Sequence, residues 1–140
     1  MKELPNGLIV FNATPHPLRF WHPSWPEPVE VPPDEVINAR RVEKVVQRFA
    51  IPPALPSTWS YYDREAGTEV VEFVTTTFVG DTEGEAIIER AFAQGAHVVV
   101  GSIIAAQAYP GRVVAPVPAP GYERAEPAKK RARPDKFVVF

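Results

Sequence analysis

Thr82-Glu83-Gly84-Glu85-Ala86-Ile87-Ile88-Glu89-Arg90-Ala91-Phe92-Ala93-Gln94-Gly95, followed at once by Ala96-His97-Val98-Val99-Val100-Gly101-Ser102, is the stretch on which the fold turns. Thr82 and Glu85 have the spacing of a capping box, in which each side chain satisfies a backbone donor left free by the first helical turn. A helix is therefore expected to start there. Ile87, Ile88, Ala91 and Phe92 give it one apolar face, Glu85, Glu89 and Arg90 turn outward, and Gly95 stops it. Val98 to Val100 reads as a short strand covered on both faces, with His97 a structural residue at its start. Ser102 can cap a second helix from Ile103 to Tyr109, which Pro110-Gly111 ends, and Arg112 to Ala115 reads as the next strand. Thr82 to Val117 is thus an α-β-α-β unit. Only ten residues separate Val100 from Val113 once Gly101 and Arg112 are set aside. A parallel crossover normally takes a dozen or more, so the direction of pairing stays open.

Upstream the chain is proline-rich and β-prone. Leu8 to Phe11 and Leu18 to Phe20 are short strands around the turn Asn12-Ala13-Thr14-Pro15-His16-Pro17, a hairpin or an arch. Val29-Glu30-Val31 suits an edge strand within a stiff loop. Val36 to Phe49 places Val42, Val45, Val46 and Phe49 at helical spacing, yet its β-branched content equally allows a long strand. Glu69 to Val79 is a strand by composition. Between them lies a proline-rich connector with Trp59, Tyr61 and Tyr62. Downstream, Pro116 to Pro120 is expected to break regular structure.

The closing segment, Gly121 to Phe140, carries six basic side chains against three acidic ones, then ends on Phe137-Val138-Val139-Phe140. It is net +3, which leaves −5 on the first 120 residues of a chain whose total is −2. The division expected from this is a globular domain over 1–120 and a basic tail over 121–140, whose apolar end can fold back as a strand. With 140 residues the chain is long enough for one domain with a substantial core. It has no cysteine, which excludes disulfides and thiolate chemistry and fits a reducing compartment. Its 17 prolines exceed twice the usual ~5%, and Asn and Gln are scarce, a composition resembling that of proteins from hot habitats. No apolar stretch approaches the ~20 residues of a membrane span, and the N-terminus lacks the apolar core of a signal peptide.

Candidate chemistry is sparse. His16 and His22 sit in a proline-punctuated loop with no carboxylate at ligand spacing, so no metal site is expected. Asn12 and Thr14 begin a turn within which His16 finds hydrogen bonds. Ser102 lacks the Gly-x-Ser-x-Gly elbow and a downstream histidine, so no catalytic serine is assigned. Asp63, Glu65, Glu69, Glu72, Asp81, Glu83, Glu85 and Glu89 are spaced like solvated faces. No catalytic residue and no cofactor is expected. The candidates for partner contact are Trp21, Trp25 and Trp59 on stiff loops and Lys129, Lys130, Arg131 and Arg133 in the tail. Such rings anchor interfaces or equally cover the edge of a small core, and such cations grip a partner or form a solvated charge run.

Phe11-Asn12-Ala13-Thr14-Pro15-His16-Pro17 resembles the Asn-x-Thr-Pro-His opening of a group of small phage and prophage proteins. Ser102-Ile103-Ile104-Ala105-Ala106-Gln107 and the strand end Val114-Ala115-Pro116 match later motifs of that group, in the same order. In size and character the chain is also similar to a Thermus phage regulator of host RNA polymerase. That likeness implies a non-enzymatic protein of the host cytoplasm that binds the polymerase holoenzyme at the β-flap and σ region. It would inhibit promoter-dependent initiation and promote antitermination, touching nucleic acid only indirectly and no membrane.

The expected architecture is an α+β or α/β single domain, with a proline-rich β half followed by the α-β-α-β unit and the basic tail. The expected role is binding. The rival readings are a nucleotide- or phosphate-binding protein, a sponge for a signal, using the Ser102 turn with an arginine such as Arg112, and a small enzyme whose carboxylates meet only in the fold.

Overall fold

A computed structural model describes residues 1–50 and 70–140. In chain order the elements are β1 (Lys2–Glu3), β2 (Ile9–Asn12), β3 (Leu18–Phe20), β4 (Val29–Val31), β5 (Arg40–Ala50), β6 (Val70–Val79), α1 (Thr82–Ala93), β7 (Val98–Val100), α2 (Ile103–Ala108), β8 (Val113–Pro118) and β9 (Ala132–Val138). They fall into two compact units, Met1–Arg40 with Phe78–Phe140, and Arg41–Thr77. The fold is α+β.

The first unit is a seven-stranded mixed sheet of order β1-β2-β7-β8-β9-β3-β4. Strands β2, β7 and β8 are parallel, and β9 and β3 are parallel. The contacts β1 to β2, β8 to β9 and β3 to β4 are antiparallel. The six-residue α2 therefore completes a parallel β7-α2-β8 crossover shorter than usual. Strands β2 and β3 do not pair with each other, so the turn between them is an arch.

Side-chain alternation sends each strand's residues to two cores. Phe11, Val99, Val113 and Ala115 join Ile87, Ile88 and Ala91 of α1 and Ala105 and Ala106 of α2 in one core. Val10, Phe20, Val31, Val100 and Ala132 form the other, with Phe137 and Trp25 packed against it and no helix involved. That second face is covered because the sheet curls. Lys2 Nζ of edge strand β1 donates to the Glu30 carbonyl of edge strand β4 at 2.9 Å, and Asn6 Nδ2 donates to Pro134 O at 3.1 Å. Fully burying a valine, isoleucine or phenylalanine side chain stabilises by roughly 1.5–3 kcal/mol, so the two cores hold most of this unit's favourable energy.

Several expectations are revised here. The cap of α1 is Asp81, whose Oδ1 accepts from Gly84 N at 2.7 Å, while Thr82 is already inside the helix. Aspartate caps as well as threonine, and the reason it prevails lies in Tyr109. The Tyr109 hydroxyl accepts from Asp81 N at 2.9 Å and lies against Gly84, where an added Cβ would overlap it. Phe92 is exposed rather than part of the buried face, because Ala91 and Ile88 already fill it. Gly95, at φ +103°, ends the helix as read. His97 is exposed at the surface end of β7, although Ile9 N donates to its Nδ1 at 3.0 Å. Strand β8 continues through Pro116 to Pro118, because a bulge on the β9 side lets prolines sit where ladder donors are not needed.

The segment set apart as a tail supplies β9, which lies between β8 and β3 rather than at an edge. The 1–120 and 121–140 boundary thus does not mark a structural division of this unit. In the second unit β5 and β6 pair as a two-stranded sheet, which places Val36 to Phe49 largely in a strand. The contacts Thr77 to Val42, Glu72 to Arg48 and Phe73 to Phe49 run in opposite chain directions, so the ribbon is antiparallel.

Candidate binding surfaces

Asn12 organises one surface. It ends β2 with its side chain fully buried, and all four hydrogen-bonding positions of its amide are used. Its Oδ1 accepts from Thr14 N at 3.0 Å and lies 2.7 Å from Thr14 Oγ1, while its Nδ2 donates to His16 O at 2.8 Å and to Val31 O at 3.0 Å. The backbone N–H of Asn12 donates to Asp34 Oδ2 at 2.7 Å. The Asn-x-Thr-Pro-His motif is therefore a lock that ties the arch to β4. The arch, once locked, forms one wall of a cleft.

That cleft, of about 770 Å³, opens at the carboxyl ends of the parallel strands β2, β7 and β8, where ligand crevices of mixed α/β sheets form. Its other borders are the β7 to α2 turn, residues of β8 and β9, and the loop leading into β9. Ala115 packs toward the helices and pairs with Val138, which places Val138 on the same face. The cationic side chains at the cleft are Arg19, Lys130 and Arg131.

The seven residues singled out from sequence fall in different places. Trp21 is half-buried, its ring 6.2 Å from Tyr122, and the Arg131 guanidinium lies 4.9 Å from the Trp21 ring and 4.8 Å from the Tyr122 ring. Trp25 is half-buried against the second core beside His22. Arg133 is fixed to Asp135 by two hydrogen bonds of 2.9 Å, which lower the Asp135 pKa and raise that of Arg133. Lys129 and Lys130 are exposed and in no ion pair among the described residues. Trp59 lies outside the described residues, as do Tyr61 and Tyr62. The structure thus places Lys130 and Arg131 on the cleft lining with Trp21 beside Arg131, packs Trp25 on the second core and leaves Arg133 in a surface pair with Asp135. Arg112 is remote from Ser102's role: it pairs with Glu85 at 2.7 Å and with Glu89, whose hydrogen bond chiefly raises its pKa. The Ser102 side chain accepts from Ala105 N at 3.1 Å, as a cap.

Sequence reasoning passed over Arg19, Glu30 and Tyr122, which meet only through the arch and the β9 loop. It also missed the Tyr109 to Asp81 contact, where burial pushes the tyrosine pKa up. No local pattern marks either grouping.

The other candidate surface is the β5–β6 ribbon. Alternation assigns Val45, Phe49 and Phe73 to one face and Val46 and Val74 to the other. All five are exposed, Val46 by 57% and Phe73 by 50%, and the Phe49 and Phe73 rings meet edge to face at 5.5 Å. Arg48 and Glu72 pair at 3.3 Å beside Val46 and Val74.

Among the described residues no three histidine or acidic side chains cluster in a way that could hold a metal ion, and no described helix is long and apolar enough to cross a membrane. No family model, no curated protein and no solved structure matches the chain.

Proposed function

We propose that this protein acts without catalysis, by binding a larger protein partner through the β5–β6 ribbon. The observation that carries the reading is that apolar side chains are exposed on both faces of that ribbon, where a stable two-stranded sheet ordinarily hides at least one. A partner that covers Val46 and Val74, or Phe49 and Phe73, would supply the missing burial, and paired aromatic rings are effective anchors at interfaces. The resemblance to phage regulators supports a specific partner: host RNA polymerase holoenzyme in the host cytoplasm, gripped at the β-flap and σ region so that promoter-dependent initiation falls and antitermination rises. The ribbon is proposed beside the tryptophan loops and the basic segment, of which Trp25 packs against the second core and Arg133 pairs with Asp135.

The test is direct binding of the full chain to purified Thermus RNA polymerase holoenzyme, paired with run-off transcription from a promoter. The proposal expects a stable complex and reduced run-off product, both lost in Phe73→Ser and Val46→Glu while circular dichroism stays that of the parent. Binding that survives both substitutions would remove the ribbon from the reading. A polymerase that shows no complex would remove the partner.

A further inference from the structure

The cleft at the carboxyl ends of β2, β7 and β8 is lined by two chemically different sets of side chains. Arg19, Lys130 and Arg131 line it, and an adjoining cavity of about 490 Å³ adds Lys129 while sharing Arg19, Tyr122 and Arg131. The carboxylates on these linings are Glu30 and Glu123. Arg19 is already answered by Glu30 at 3.6 Å and by the Ala128 carbonyl. Arg131 is held by the Trp21 and Tyr122 rings, with no carboxylate partner among the described residues. Four cations against two acids leave a surplus of two positive charges. Other lining residues are apolar: Pro17, Leu18, Ile103, Pro116 and Val138 supply no side-chain donor or acceptor. Ile103 is 56% exposed although it lines the cleft.

We infer that the cleft binds a phosphate-bearing small molecule with a planar or apolar body, the class to which nucleoside phosphates belong. A surplus of two charges matches a phosphate group better than a single carboxylate, and a ring-held guanidinium offers the rigid fork that phosphate oxygens accept. The volume lies within the range of small-molecule sites, and an apolar lining with a few converging polar groups is their usual make-up. Phosphate is assigned to Lys130 and Arg131, and the body to the lining prolines and Ile103. This site is independent of the ribbon and of the partner reading.

Isothermal titration of the full chain with ADP, adenosine and pyrophosphate, at about 0.15 M salt to screen loose surface charge, tests it. ADP is expected to bind once per chain, with adenosine and pyrophosphate each weaker by about tenfold or more, since each lacks one half of the match. Lys130→Glu and Ile103→Asp, both at exposed positions, are each expected to weaken ADP by about tenfold. Lys44→Glu, the same charge change on the ribbon, should leave it unaltered. Pyrophosphate binding as well as ADP, or equal losses from Lys44→Glu and Lys130→Glu, would reduce the cleft to a general collector of anions. A silent ADP titration would overturn the inference. A single-stranded oligonucleotide that binds more tightly than ADP and is lost in Lys130→Glu would reassign the site to nucleic acid.

Discussion

Asn12 shows how much one buried amide can hold. It links Thr14, His16 and Val31, so the arch and edge strand β4 depend on a side chain with no exposed surface. Replacing it with alanine strips partners from the Val31 carbonyl and from Thr14 N, while the Thr14 hydroxyl still donates to the His16 carbonyl, and each buried group left unpaired costs about 1–3 kcal/mol. Asn12→Ala is therefore expected to lower the urea unfolding free energy by at least that amount. A loss under about 0.5 kcal/mol, the scale of a neutral surface change, would show that the arch is held by other contacts. The same lock shapes one wall of the cleft, so the motif's role is positional.

The basic run of the closing segment leads into β9, which holds a central place in the sheet. Its neighbours are β8 on one side and β3 on the other, Ala132 is buried, and Phe137 packs on Phe20 at 6.2 Å between centroids. Six cations in the segment do not make it a solvated tail: Ala132 and Pro134 are buried, an irregularity in the pairing with β8 lets Phe137 turn to the same core as Ala132, and Arg133 pairs with Asp135. Deleting residues 121–140 should consequently unfold the first unit. The expected result is loss of amide dispersion in the proton–nitrogen spectrum and of a cooperative urea transition. A deletion variant that keeps both would mean that β8 and β3 close without β9. The tail's charges are better probed by substitution at Lys129 and Lys130, which are exposed.

At the level of the whole molecule, the two units differ in what stabilises them. The first has two cores and a sheet whose edges are tied, whereas the second, as described, is a ribbon with apolar groups exposed on both faces. Local stability follows buried contacts, so hydrogen exchange should be graded across the chain. Amides of β2, β7 and β8 are expected to exchange slowest, near the limit set by global unfolding, and those of β5 and β6 markedly faster in the free protein. Equal protection in the two units would contradict that division. Protection of β5 and β6 that rises only with the polymerase present would be the signature of the proposed grip.

The α-β-α-β order, the stop at Gly95, the Ser102 cap and the strand character of Val70 to Val79 were legible in the chain, because caps, glycine conformation and β-branching act over a few residues. The Asn-x-Thr-Pro-His turn was legible as a turn for the same reason. What only the tertiary structure decided was which residues meet across long separations. The bond from Asn12 to Val31, the Tyr109 hydroxyl on Asp81, the placement of β9 between β8 and β3, and the joining of Arg19, Tyr122 and Arg131 at one cleft all arise from strand order. Local sequence signals set periodicity and termini, while strand order is set by how a curled sheet buries two faces at once, an energy to which every strand contributes.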